Sequence, residues 1–375
     1  MKVVFFANTD WYLYNFRREH AQALRQRGDD VVLVSPPGEY MVRLQGLGLR
    51  CLPFPFSRQG MNPLAELSTI VRLIRLYREE KPDLVHHFTV KCVLYGTLAA
   101  YLAGVRAVVN SITGLGYIFT PGGVWKKFLR FFVRLWYRLI LRGSQVIFEN
   151  DDDRRIFRDA GLIPEDSGYF IPGEGVDMQR FAVRPLPEGE PVILLAARLL
   201  WDKGIGEYVQ AARLLRSEGV QVRFILAGRT DPANPSSIPD AQIQAWRDEG
   251  VIEWWGWIED MALTLRQVSI VCLPSYREGL PPMLMEAAAC GRSIVATDVP
   301  GCRSTVRNGV NGLLVPVRDA ASLAGALRTL INDPALCRTM GAAGRQLAEE
   351  IFSSEKAIKD IFKIYDRALT TKQAQ

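Results

Sequence analysis

Short apolar runs alternate with longer stretches of helical period along almost the whole chain. Lys2–Ala7, Val31–Ser35, Asp83–His87, Arg106–Asn110 and Gln145–Glu149 read as strands, and Asn15–Arg27, Leu64–Glu80, Val90–Ala103 and Trp125–Arg142 as helices between them. Strands that are apolar on both faces belong to parallel sheets, whose crossovers are helical. A second series begins at Val192, with strands predicted near Val222–Ala227, Val251–Trp255, Ser269–Leu273 and Ser293–Ala296. Helices at Ala320–Asn332, Pro334–Glu350 and Ser354–Leu369 close the chain. Between the two series lies the proline-rich segment Val183–Pro191, which reads as a linker. The pattern predicts an α/β protein of two doubly wound, Rossmann-like domains facing across a cleft, one over 1–184 and one over 185–352.

Composition narrows the class of protein. With 375 residues, 48% of them hydrophobic, the chain can bury two sizeable cores. Its six cysteines form no Cys-x-x-Cys pair, and Cys92, Cys272, Cys290 and Cys302 lie in or beside apolar segments, so they read as reduced core residues of a cytosolic protein. The apolar run near the N-terminus, Val3–Ala7, is too short for a signal peptide, and no run approaches a membrane span. The net charge of +6 is uneven: residues 1–184 hold 25 Lys and Arg against 18 Asp and Glu, whereas 185–375 hold 21 against 22. A basic first half suits a phosphorylated substrate or an anionic lipid surface. No recognised DNA- or RNA-binding motif accompanies it, which argues against nucleic acid.

Two loops carry the candidate chemistry. After the strand Ser269–Leu273 comes Ser275-Tyr-Arg-Glu-Gly-Leu-Pro-Pro-Met-Leu-Met-Glu286, with two prolines where a helix begins and carboxylates at Glu278 and Glu286. After the strand Pro191–Ala197 comes Arg198-Leu-Leu-Trp-Asp-Lys-Gly204, which places Arg198 at the strand's carboxyl end and Lys203 before a helix. Open α/β sheets bind ligands at that edge, and a free helix N-terminus favours an anion. The pair of loops, with a Glu-x7-Glu spacing in the Glu-Gly-Leu-Pro context of Glu278, Gly279, Leu280 and Pro281, resembles glycosyltransferase family 4. That resemblance implies the GT-B fold, a last helix (353–375) that crosses back to the first domain, retention of configuration at the transferred sugar, and no obligatory metal or other cofactor. It also implies roles: Glu286 on the ribose hydroxyls, Arg198 and Lys203 on the diphosphate, and Glu278 with the backbone of Gly279, Leu280 and Pro281 on the donor sugar.

The first half fits the same resemblance with departures. The loop Asn8-Thr-Asp-Trp-Tyr lacks the glycine pair that many family members place against the donor diphosphate, so Asn8 and Thr9 stand in as hydrogen-bonding groups. The resemblance here is to the subgroup acting in capsular-polysaccharide and lipid-linked oligosaccharide assembly, which also has an arginine at a position like Arg17, expected at the cleft. His86, His87 and Lys91 follow a strand; one histidine is expected to pack inside while the other, taken as His87, faces the cleft with Lys91. Thr113 stands before Gly114 where many members have a histidine that touches the sugar. Asp151, Asp152 and Asp153 read as a helix N-cap plus first-turn acids, in preference to a metal-binding pair, and His86 and His87 lack further ligands at metal spacing. Gly175, in Pro-Gly-Glu-Gly-Val-Asp, resembles a family segment that touches the donor across the cleft.

The helix Trp125–Arg142 carries cations at 126, 130, 134, 138 and 142, each four apart, beside aromatic flanks. At 100° per residue these form one slowly winding stripe. Lys126, Arg130, Arg134 and Arg138 are therefore expected to meet an anionic membrane surface, the other reading being a crossover helix with solvated arginines. Together these readings describe a cytoplasmic enzyme, peripheral on the inner face of the plasma membrane. It moves a hexose or N-acetylhexosamine from a nucleotide sugar donor, expected to be a UDP-sugar, to a polyprenyl-diphosphate acceptor of surface polysaccharide or lipopolysaccharide assembly. A nucleotide-sugar 2-epimerase using His86 or His87, and a non-catalytic sugar-nucleotide-binding subunit, are the alternatives. The sequence leaves the sugar, the acceptor and the oligomeric state open.

Overall fold

The computed structural model describes residues 1–57, 62–114, 134–232 and 234–371. The chain forms two compact units, Met1–Glu174 with Lys356–Gln375, and Gly175–Glu355. The linker segment Val183–Pro191 thus falls inside the second unit.

The first unit is built on seven strands: β1 (Lys2–Phe6), β2 (Asp30–Ser35), β3 (Arg50–Pro53), β4 (Leu84–Phe88), β5 (Ala107–Ile112), β6 (Gln145–Phe148) and β7 (Gly168–Phe170). They lie in the order β3-β2-β1-β4-β5-β6-β7, every pair parallel. The apolar runs are apolar because both faces are covered: Val3 and Phe5 belong to one layer of core, Val4 and Phe6 to the other. Strand order reverses between β1 and β4, so the loops after these two strands open the crevice at which such sheets bind ligands. Thr89, the first residue after β4, has φ +72°, a strained backbone for a β-branched residue.

One reading of the helices is corrected and another holds. The helix expected over Asn15–Arg27 is two, Asp10–Phe16 and Arg18–Gln26, hinged at Arg17, whose φ of −135° ends one helix and starts the next. The break turns the Arg17 guanidinium inward, where it finds buried partners. The last helix, Ser354–Thr371, belongs to the first unit, as the resemblance implied. Ala357, Ile361, Ile364, Tyr365 and Ala368, at helical spacing, close the core layer over Val3 and Phe5.

The second unit holds β8 (Val192–Ala196), β9 (Arg223–Ala227), β10 (Glu253–Gly256), β11 (Ile270–Leu273), β12 (Ser293–Thr297) and β13 (Gly312–Val315). These six are also parallel, in the order β10-β9-β8-β11-β12-β13. The reversal here is between β8 and β11. Alternate residues again feed two core layers, Leu194 with Val271 on one face and Ile193 with Ile270 on the other.

Candidate active site

The loops that follow β8 and β11 are the two that carried the sequence motifs, and the topology brings them together at the switch point of the second sheet. Lys203 ends a single 3-10 turn (Trp201–Lys203), and its ammonium donates to Glu278 Oε1 at 2.6 Å. Both side chains are largely buried, at 19% and 10% exposed. A second link ties the same loops, since the Tyr276 backbone N–H donates to the Asp202 carbonyl at 2.9 Å and the Tyr276 hydroxyl to Glu207 Oε1 at 2.7 Å. Arg198 leaves the end of β8 in the open and reaches Asp231 Oδ2 at 3.3 Å. An ammonium and a guanidinium at the carboxyl edge of a parallel sheet, each beside a carboxylate, can receive a diphosphate.

Close backbone contacts fix this geometry. Gly204 has φ +70°, and a Cβ there would lie 2.0 Å from the Pro274 carbonyl oxygen, so the loop after β8 packs directly on the one after β11. Gly301 touches the Gly279 carbonyl in the same manner, with 2.5 Å left for a Cβ. Gly204→Ala is expected to destabilise the unit by on the order of 3 kcal/mol, through positive φ and overlap together. A urea midpoint equal to that of the parent would show that the two loops do not need this contact.

Glu286 sits about one turn into the helix Pro282–Ala289, among the buried Met283, Leu284, Met285 and Ala287. Burial pushes its carboxyl up to about 7, opposed in part by Arg180. The folded state therefore favours the protonated form. The stability this gives is complete below about pH 4.5 and is lost as pH rises through 7. Glu286→Gln is expected to flatten that slope, so melting temperatures of parent and variant should diverge between pH 5 and pH 8 in favour of glutamine.

In the first unit the residues expected at the ligand edge separate into three kinds. Asn8, Thr113 and Gly114 are partly exposed at the carboxyl ends of β1 and β5. Thr9 caps the helix Asp10–Phe16 by accepting from the Tyr12 N–H at 3.1 Å. Asp10 accepts from the N–H groups of Tyr40 and Met41, at 2.9 and 3.1 Å, and so caps the helix Glu39–Gly46. Arg17 is buried against Tyr12 at 2.5 Å and against Glu149 and Glu174, both at 3.4 Å, with its guanidinium 4.6 Å from the Phe88 ring centroid. Burial pushes Glu149 up to about 7 despite the opposing Arg17.

His87 is corrected: it does not reach the surface. Its Nε2 pairs with the Tyr77 hydroxyl at 3.0 Å and its Nδ1 with Asn110 Oδ1 at 2.8 Å, and it is wholly buried. His86 is enclosed as well, between Tyr365 at 2.7 Å and Ser111 at 2.8 Å. An apolar β4 seats both rings in core layers, one on each face, and burial holds both imidazoles neutral. An epimerase relying on either as an acid or base loses its candidate. Lys91 donates to Glu66 at 2.7 Å and to the Ser57 carbonyl at 2.6 Å. The N-cap expected among the three aspartates is corrected: Asn150 caps the helix Asp151–Asp159, accepting from the Asp153 N–H at 2.8 Å, and all three aspartates fill the first turn. Gly175 uses its φ of +74° to pass 2.5 Å, measured to an added Cβ, from the Phe352 carbonyl. Arg134 and Arg138 are exposed on the helix 134–140, with Leu135, Trp136 and Leu139 exposed beside them. Lys126 and Arg130 lie outside the described residues.

Sequence reasoning missed Tyr12, Glu149 and Glu174 as partners of Arg17, and Arg180, Glu207 and Tyr276 around the second site. Glu149 ended the predicted strand Gln145–Glu149 and Tyr276 lies inside the motif loop two residues before Glu278, a signal that was readable; Arg180 and Glu207 carried none.

A solved glycosyltransferase from Rickettsia africae superposes with a TM-score of 0.80 at 17% identity, covering 98% of both chains. That likeness establishes the fold, the GT-B architecture. The class comes from two family descriptions that the sequence matches, "Glycosyl transferase 4-like" over residues 2–150 and "Glycosyl transferases group 1" over 190–333: this is a glycosyltransferase. The chain belongs to glycosyltransferase family 4. Among its relatives is the N,N'-diacetylbacillosaminyl-diphospho-undecaprenol α-1,3-N-acetylgalactosaminyltransferase of Campylobacter jejuni, 27% identical over 98% of this chain and 99% of that one. Another is the UDP-Gal:α-D-GlcNAc-diphosphoundecaprenol α-1,3-galactosyltransferase of Escherichia coli, 23% identical over 85% of this chain and 83% of that protein.

Proposed function

We propose that the enzyme transfers a hexose or N-acetylhexosamine from a UDP-sugar, with retention, to a sugar carried on polyprenyl diphosphate. The observation that carries this reading is the Lys203–Glu278 pair at the switch between β8 and β11, with Arg198 at the end of β8. The leaving diphosphate gains negative charge as the glycosidic bond breaks. Lys203 and Arg198 then hold charge where it develops, which is the interaction that accelerates transfer. When the donor arrives, Lys203 exchanges part of its bond to Glu278 for the phosphate, and the released carboxylate accepts from sugar hydroxyls. Glu286 serves the ribose. Both relatives are named for diphospho-undecaprenol acceptors and α-1,3 linkages, and one for a UDP-sugar, which supports the same donor and acceptor classes here. Incubating the enzyme with labelled UDP-sugars and a short-chain polyprenyl-diphosphate sugar should give one glycosylated lipid whose new linkage keeps the donor's anomeric configuration. An inverted product, or turnover only with other nucleotides, would overturn the corresponding part.

A lipid acceptor brings the enzyme to a bilayer, and Arg134, Arg138, Leu135, Trp136 and Leu139 form the described part of a surface suited to one. None of the described helices is long and apolar enough to cross a membrane. Each basic residue near an anionic surface contributes about 1 kcal/mol, so Arg134→Glu with Arg138→Glu should weaken vesicle binding at least tenfold and reduce its salt dependence. Co-sedimentation with anionic vesicles across a salt series measures this; equal sedimentation of variant and parent rejects the surface, provided the variant still glycosylates a soluble short-chain acceptor.

A further inference from the structure

At the amino ends of β5, β6 and β7, the edge of the first sheet opposite Thr113 and Glu149, there is a cavity of about 790 Å³. That volume suits a small organic ligand. Its charged lining comes from separate pieces of chain: Arg106 just before β5, Arg142 in the turn before β6, Glu165 and Asp166 in the turn before β7, and Arg367 from the last helix. Arg367 is engaged with the wall, donating to the Tyr169 hydroxyl at 2.9 Å, while that hydroxyl donates to Gln145 Oε1 at 2.9 Å. This network makes one side of the cavity rigid. The other four charges are arranged differently. Arg106 and Arg142 make no ion pair with Glu165 or Asp166 among the described residues, although all four line one space; Asp166 lies within electrostatic reach of Arg367.

Opposite charges that share a cavity without pairing leave both kinds of group available to a third partner. Such a partner needs an anion for the guanidinium groups and hydroxyl donors for the carboxylates. We propose that this cavity binds a phosphate ester of a polyol, its phosphate held by Arg106 and Arg142 and its hydroxyls by Glu165 and Asp166. Guanidinium forks match phosphate oxygens in geometry, and a carboxylate accepts two hydroxyl donors at once. The ester has two sources, a soluble polyol phosphate or the glycerol phosphate headgroup of an anionic lipid. Arg142 also ends the row of cations that includes Arg134 and Arg138, so a headgroup could be taken from the same surface.

The test uses the full chain with glycerol 3-phosphate as the soluble probe and phosphatidylglycerol or phosphatidylserine vesicles as the lipid probes. Binding is followed by calorimetry for the first and by flotation for the others. Arg106→Gln with Arg142→Gln removes two exposed groups that support no described contact, so folding should survive, which a thermal melt confirms. In the soluble case glycerol 3-phosphate binds the parent and loses at least tenfold in this variant. In the lipid case glycerol 3-phosphate fails to bind, while preference for phosphatidylglycerol over phosphatidylserine is present in the parent and absent in the variant. Glu165→Gln with Asp166→Asn should bind inorganic phosphate more tightly, because repulsion is gone, yet lose the parent's preference for glycerol 3-phosphate or its lipid over inorganic phosphate or serine lipid. Equal binding of all probes by parent and arginine variant, or no binding by the parent, overturns the proposal; an unchanged preference in the acid variant overturns its polyol part.

Discussion

Lys203→Ala should lower the transfer rate by a factor of roughly 100–1000 while leaving the donor's Michaelis constant within a few fold, an effect of about 3–4 kcal/mol on the transition state. The size follows from position. Lys203 closes a 3-10 turn whose next residue, Gly204, can be nothing larger, and its ammonium is already oriented by Glu278 at 2.6 Å. A cation that needs no rearrangement at the moment of bond cleavage contributes more than one recruited from solvent. Alanine also leaves the nearly buried Glu278 carboxylate without its partner, so some loss of stability accompanies the loss of rate. Lys203→Arg separates the two: it keeps a charge for Glu278 but changes reach and shape, and should restore stability more than turnover. Single-turnover transfer and a urea midpoint on both variants decide it. Unchanged turnover in Lys203→Ala would remove this lysine from the diphosphate.

The second large effect is on folding. Arg17→Met should destabilise the enzyme by about 3–5 kcal/mol, because it withdraws the cation that Glu149 and Glu174, both largely buried, share. The loss should depend on pH. Glu149 is raised to about 7 with Arg17 in place, and deleting the cation raises it further. A carboxyl raised on folding stabilises at pH values below its unfolded value and loses that contribution as pH climbs through the folded one. The variant should therefore lie closer to the parent at pH 6 than at pH 8. Arg17→Met with Glu149→Gln should recover part of the loss at pH 8. Urea unfolding at the two pH values measures it, and a loss independent of pH would mean that Glu149 is not the group left stranded.

These two arginine and lysine sites show what the sequence could and could not disclose. Buried parallel strands are written as apolar runs, so β1, β4, β8 and β11 were legible, and the loops after β8 and β11 carried their chemistry in consecutive residues. Arg17 was different. Its side chain was expected at the cleft, in a stretch read as one helix, and only the hinge between Asp10–Phe16 and Arg18–Gln26 turns it inward to residues 132 and 157 positions away. His87 failed for the same reason: whether a histidine at a strand end faces core or solvent depends on Tyr77 and Asn110, which reach it from another helix and another strand. Short strands such as Gly168–Phe170 and Gly312–Val315 have too few residues for alternation to register.

The return of the last helix sets an order of events during synthesis. Residues up to Glu174 emerge first, yet the layer that covers Phe5, His20 and His86 is supplied from Lys356 onward, about 180 residues later. At ordinary translation rates that is a wait of roughly 10–40 s. For this interval the nascent first unit shows the ribosome's surroundings an apolar face with buried-type histidines on it, while the second unit, continuous in the chain, can already close. A chain that stops after the second unit never covers that face, so loss of only the final helix should send the protein to holding chaperones and proteolysis even though Arg198, Lys203, Glu278 and Glu286 all lie in the unit that can close.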